Sequence, residues 1–164
     1  MAVKFLVRGD DLPVLHPLTV AQATASDPSR ALIWGVDLRH GQTRRSAKKK
    51  LRQACRDARK YATGWSGIVH VLVAYAQGGT LPPGTCAATA GQAAAQAHAE
   101  MERSRGRYVD VVVLDVTGWE DGDTLHDRVI EAVSGRPGAA GDAALAWREI
   151  LDSPIHEAAM QQRL

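Results

Sequence analysis

Three apolar runs constrain this chain more than any other feature. Residues 31–38, 68–76 and 108–116 are nearly continuous in Val, Leu, Ile and Ala, with His70 and Asp110 among the few polar interruptions. Each is followed by a stretch with helical character, at 43–62, 85–103 and 124–133. A strand that is apolar on both sides must be covered on both sides, and strands alternating with helices do this as a parallel sheet between helical layers. The pattern therefore predicts an α/β fold with a mostly parallel βαβαβα sheet.

Residues 3–7 alternate and add an N-terminal strand. Residues 18–23 read as a second, weaker strand, so that a hairpin at the sheet edge is expected. Gly135, Pro137, Gly138 and Gly141 mark a flexible joint. Beyond it, 142–151 reads as a helix with Leu145, Trp147, Ile150 and Leu151 as its larger apolar residues, and Pro154 restarts a second short helix. The expected organisation is an α/β domain over 1–134, a joint over 135–141 and a helical C-terminal arm over 142–164. The order resembles ribonuclease-H-like folds, in which antiparallel strands precede a βα alternation. Such enzymes carry a carboxylate on the first strand; here it reads Val3-Lys4-Phe5-Leu6-Val7.

Charge is unevenly placed. Between Arg39 and Lys60 lie ten basic side chains and one acid, Asp57, a local charge of +9 in a chain of net charge +2, so the remainder carries −7. On a 3.6-residue period, Ala47, Leu51, Ala54, Cys55, Ala58, Tyr61 and Ala62 form one stripe of the 43–62 helix. Arg44, Arg45, Lys48, Lys49, Arg52, Arg56 and Arg59 occupy the remaining surface. Like charges four apart, as in Arg45–Lys49, Lys48–Arg52 and Arg52–Arg56, repel by a few tenths of a kcal/mol each. A polyanion laid against the helix relieves that repulsion. The expected function is nucleic-acid binding, DNA or RNA, through phosphate contacts. Base-reading side chains are few (Thr43, Ser46 and Gln53), so sequence-independent binding is expected.

Two alternatives follow from other residues. Asp37 and Asp115 close the first and third apolar strands, where parallel sheets gather ligands. With His40 beside them they suit a Mg²⁺-dependent nuclease or other phosphoryl-transfer enzyme. Otherwise the expectation is a binding protein without catalysis and without cofactor. The second alternative is an assembly subunit whose basic helix meets an acidic face of a partner or copy. Homo-oligomer contacts are expected from the Ala-rich 85–103 helix or the C-terminal arm.

The two cysteines, Cys55 and Cys86, form no C-x-x-C pair, and zinc-ligand spacings are absent. Cys86 opens the second helix, where a thiol can be acidified. The loop before it lacks the Lys of a P-loop. The N-terminal apolar run is too short for a signal peptide and no stretch is long enough to span a membrane, so a cytoplasmic protein is expected.

Overall fold

The computed structural model describes residues 3–23, 29–106 and 108–164. Five strands form one sheet: β1 (Phe5–Gly9), β2 (Ala31–Leu38), β3 (His70–Gln77), β4 (Asp110–Asp115) and β5 (Asp142–Ala146). They lie in sequence order, and every neighbouring pair is parallel. The helices are α1 (His16–Ala21), α2 (Arg44–Thr63), α3 (Ala87–Arg105), α4 (Gly122–Ser134) and α5 (Ile155–Gln161), with short 3₁₀ turns at Pro13–Leu15 and Trp147–Ile150. Among the described residues no helix is long and apolar enough to cross a membrane.

Strand alternation splits the core into two layers. Phe5, Ile33, Leu72, Leu114 and Leu145 point to one face, under α1, α4 and α5. Leu6, Leu32, Val36, Val73, Tyr75 and Val113 point to the other, under α2 and α3. Because the strand order never reverses, crossovers on opposite faces have opposite hands. The α2 and α3 connections thus differ in hand from the α4 connection, an exception to a strong right-handed preference. The chain leaves β1 and β4 toward one face and β2 and β3 toward the other. Two clefts between diverging loops result at the carboxyl edge, between β1 and β2 and between β3 and β4.

The structure corrects two expected elements. Residues 18–23 form no strand, and no hairpin is present among the described residues. Val14, Leu15 and Leu18 are buried at helical spacing, and Pro17 lies in the first turn of α1. Among the described residues every strand pair is parallel, unlike the antiparallel opening of ribonuclease-H-like sheets. Residues 142–146 are not helical either. Ala143 and Leu145 are buried while Asp142 and Ala144 are half-buried, a period of two, and the segment pairs with β4. Its register is held by Asp110, whose Oδ1 accepts the N–H of Gly138 (2.9 Å) and of Gly141 (2.7 Å). Gly141 takes φ +66°, a left-handed conformation that turns the chain into β5. Of the expected helical arm, α5 remains, with Ile155, Ala158 and Ala159 packed into the core.

Candidate nucleic-acid interface

Helix α2 begins where a capping box permits. Thr43 Oγ1 accepts the N–H of Ser46 (3.1 Å), and Ser46 Oγ accepts the N–H of Thr43 (2.8 Å). Ala47, Leu51, Cys55, Ala58 and Ala62 are buried against β2 and β3. Ala54 and Tyr61, expected on the same stripe, are half-buried at its edge. At its far end, Arg105 reaches from α3 to the Ala62 and Trp65 carbonyls. It ties the last turn of α2 and the turn that follows it to α3.

The outer surface keeps its charge. Arg44, Arg45, Lys49, Arg52 and Arg56 are exposed and Lys48 is half-buried; none of the six forms an ion pair within the described residues. Arg56 donates to Gln53 Oε1 at 3.1 Å, and Gln53 in turn donates to Asp57. From Arg45 to Arg56 the helix advances about 17 Å at 1.5 Å per residue. Arg59 departs from the expected set. Its Nε lies 2.7 Å from Glu100 Oε2 of α3, without an N–H aimed along the contact, so it forms an ion pair that ties the two helices together. Gln92 and Gln96 of α3 line the shallow groove beside Arg52 and Arg56. They bring uncharged donors that linear spacing alone does not place beside α2.

The expected acidic pair is not brought together. In β2, Asp37 shares its parity with Ala31 and Ile33, on the α4 face; in β4, Asp115 shares its parity with Val111 and Val113, on the α2 face. The sheet lies between the two carboxylates. Asp37 is held by Arg39 in a two-point contact, Nε to Oδ1 at 2.9 Å and Nη2 to Oδ2 at 3.0 Å. That guanidinium holds its carboxyl down to about 2, against the opposing effect of burial. Lys50 fills the cleft beside it, with Nζ 3.1 Å from Asp10 Oδ2 and donating to the Asp37 carbonyl at 2.8 Å. Asp10 Oδ2 also accepts the Asp37 N–H at 2.8 Å. His40 is exposed.

In the other cleft, Asp115 Oδ1 accepts the Thr117 N–H at 2.9 Å and its hydroxyl at 2.5 Å. Thr117 Oγ1 accepts the Gln77 N–H at 3.0 Å. Burial pushes the nearby Tyr75 phenol up, and the Asp115 carboxylate adds to the effect. Cys86 is also raised rather than lowered, by burial first and by Asp115 next, with Lys48 opposing. Cys55 is pushed up to about 12 by burial. Among the described residues no three His, Cys, Asp or Glu side chains converge as a metal-ligand set.

The apolar side of α3 is used within the chain. Ala90, Ala93, Ala94, Ala97 and Met101 are buried with the sheet and α2. Fold and surface together define a five-stranded parallel α/β protein with one cationic helical face. The comparisons add no relative: no protein-family model, no curated protein and no solved structure matches the chain.

Proposed function

We propose that the protein binds nucleic acid along α2, by contacts to phosphate that carry little sequence information. The observation that carries this reading is the set Arg44, Arg45, Lys48, Lys49, Arg52 and Arg56, none of which has a carboxylate partner in the described structure, while Lys50 between them turns to Asp10. A solvated helix face usually mixes signs, and this one is maintained against its own repulsion. Gln92 supplies an uncharged donor to phosphate or sugar beside Arg52 and Arg56, whereas Gln96 in the same groove already donates to Glu100. DNA and RNA both present that chemistry, in the cytoplasmic setting expected from the sequence.

Fluorescence anisotropy with labelled single- and double-stranded DNA and RNA, across a salt series, tests the reading. Binding is expected to weaken linearly in log–log form, with a slope near −0.9 per phosphate contacted on duplex DNA. The Lys48→Glu/Lys49→Glu/Arg52→Glu variant is expected to abolish it. Absence of binding to all four probes at low salt overturns the proposal.

One observation favours an assembly role as the second reading. Glu120, Asp121, Asp123, Asp127 and Glu131 are all exposed in or just before α4, on the face opposite α2. A basic face and an acidic face on opposite sides suit head-to-tail contact between copies. Outside its buried stripe, α3 also leaves Ala87, Ala88, Ala95 and Ala99 exposed. Sedimentation that shows a mass falling with salt, without nucleic-acid affinity, selects this reading. The Mg²⁺-dependent phosphoryl-transfer alternative is less favoured, because the sheet separates Asp37 from Asp115 and Arg39 occupies the former.

A further inference from the structure

A second site lies away from the cationic helix, at the amino edge of the sheet, where α4 and α5 leave a gap over β2, β3 and β4. The gap is a partly open cavity of about 190 Å³. Its inner wall is apolar, with Leu72 and Val112 from the sheet, Val129 and Val133 from α4 and Ile155 from α5. The ionisable residues that also line it differ in what they already hold. His70 and Asp110 face each other, Nδ1 3.1 Å from Oδ2, and Asp110 Oδ1 accepts the Gly138 and Gly141 N–H groups. Glu131 Oε2 is paired with Arg128 Nη1 at 3.0 Å. Both carboxylates thus have partners within the fold. Arg136 and His156 do not. Arg136 is exposed and His156 half-buried, and neither side chain has a hydrogen bond or ion pair among the described residues. Arg30, donating to the Gly135 carbonyl at 3.0 Å, brings a further positive charge to the same rim. The mouth therefore offers positive charge that no carboxylate of the chain takes up, above an apolar interior.

We infer that this cavity binds a carboxylic acid with a short aliphatic tail, the carboxylate at Arg136 and His156 and the tail between the sheet and α4. The head group follows from the rim: a guanidinium matches a carboxylate in a two-point contact, and an imidazole N–H adds another donor. The length of the tail follows from the volume. A cavity of roughly 150 Å³ accepts benzene, so this one holds a chain of about six carbons. Small-molecule sites commonly combine an apolar wall with a few placed polar groups. The inference is independent of nucleic-acid binding, because α2 lies across the sheet from this cavity.

Hexanoate, butyrate and hexylammonium are the probes, titrated calorimetrically into the full chain at pH 7. Hexanoate is expected to bind saturably. Butyrate, two methylenes shorter, is expected to bind about 15-fold more weakly, at roughly fourfold per methylene. Hexylammonium, with the same tail and the opposite charge, is expected to bind more weakly by about tenfold or more. Arg136→Gln is expected to weaken hexanoate by about tenfold. The Lys48→Glu/Lys49→Glu/Arg52→Glu variant is expected to bind hexanoate as the unmodified chain does. No saturable binding of hexanoate, equal affinity for hexanoate and hexylammonium, or no dependence on tail length overturns the inference. So does unchanged hexanoate affinity in a folded Arg136→Gln protein, or its loss in the folded α2 variant. If Arg136→Gln fails to fold, the comparison of the three probes on the unmodified chain decides.

Discussion

Asp37 shows how one contact redirects a residue. Its position at a strand end marked it as a metal ligand, yet Arg39, two residues on, closes on it in a fork. Planar guanidinium–carboxylate pairs of this kind are strong and directional. Because the folded carboxyl titrates near 2, below the ordinary value near 3.9, the pair stabilises the fold fully above about pH 4. That contribution is lost as pH falls through 2. Asp37→Asn is therefore expected to lower Tm by roughly 2–4 °C at pH 7, corresponding to about 1 kcal/mol after screening, with the difference gone near pH 2. Thermal melts of both proteins from pH 7 to pH 2 check this. The cysteines follow from burial in the same way. Cys86 sits at a helix start, but full burial and Asp115 keep its thiol protonated. Neither Cys55 nor Cys86 is expected to react with a thiol reagent at pH 8 until the protein is unfolded. Colorimetric thiol counts with and without denaturant check that.

At the scale of the element, α2 combines a stabilising inner face with a self-repelling outer one, and the two respond differently to substitution. Arg59 belongs to the fold, through Glu100 of α3. Arg59→Ala is expected to cost up to about 1 kcal/mol of stability and to leave the salt slope of nucleic-acid binding unchanged. Arg52 belongs to the open surface. Arg52→Ala is expected to leave Tm within error and to reduce the slope by about one. Lys49→Glu separates the two demands further. It replaces repulsion with Arg45 by attraction, so it is expected to raise stability by a few tenths of a kcal/mol while weakening binding. Paired melts and anisotropy titrations on the three variants check these opposite movements. Most of this helix is legible in the sequence, because the 3.6-residue period sorts buried from exposed positions without reference to the rest of the chain. The role of Arg59 was not, since Glu100 is forty-one positions away and becomes its neighbour only when α3 packs beside α2.

At the scale of the molecule, the sheet is the divider. It sets the cations of α2 against the acids around α4 and produces a directional field from a nearly neutral chain. It also places Asp37 and Asp115 on opposite sides, through nothing more than strand parity. The fifth strand makes the fold one unit. Gln162 donates to the Ala144 carbonyl and Arg163 to those of Ala140 and Asp142, so the end of the chain covers the outer edge of β5. Leu145, 3% exposed in the core beneath α5, is expected to behave as a core residue. Leu145→Ala should destabilise the protein by about 2–5 kcal/mol, in a single transition shared by probes of both chain halves. A change below 0.5 kcal/mol would instead mark 142–164 as an appendage. Chemical denaturation followed by fluorescence and circular dichroism checks this.

Local pattern alone determined the three central strands, the helices after them and the cationic face of α2. Each rests on periodicity within fewer than about twenty residues, where burial on one side imposes a rhythm. Tertiary structure decided the rest. The Ala-rich segment 142–146 carries little strand propensity of its own; β4 needed a neighbour, and Asp110 anchored the turn that delivers one. Pro17 and the spacing of Val14, Leu15 and Leu18 carried the helical signal that 18–23 lacked by itself. The pairing of His70 with Asp110 joins residues forty positions apart, and the cavity beside them exists only once α4 and α5 close over the sheet. Contacts between distant segments depend on register and layer order, which no single segment encodes.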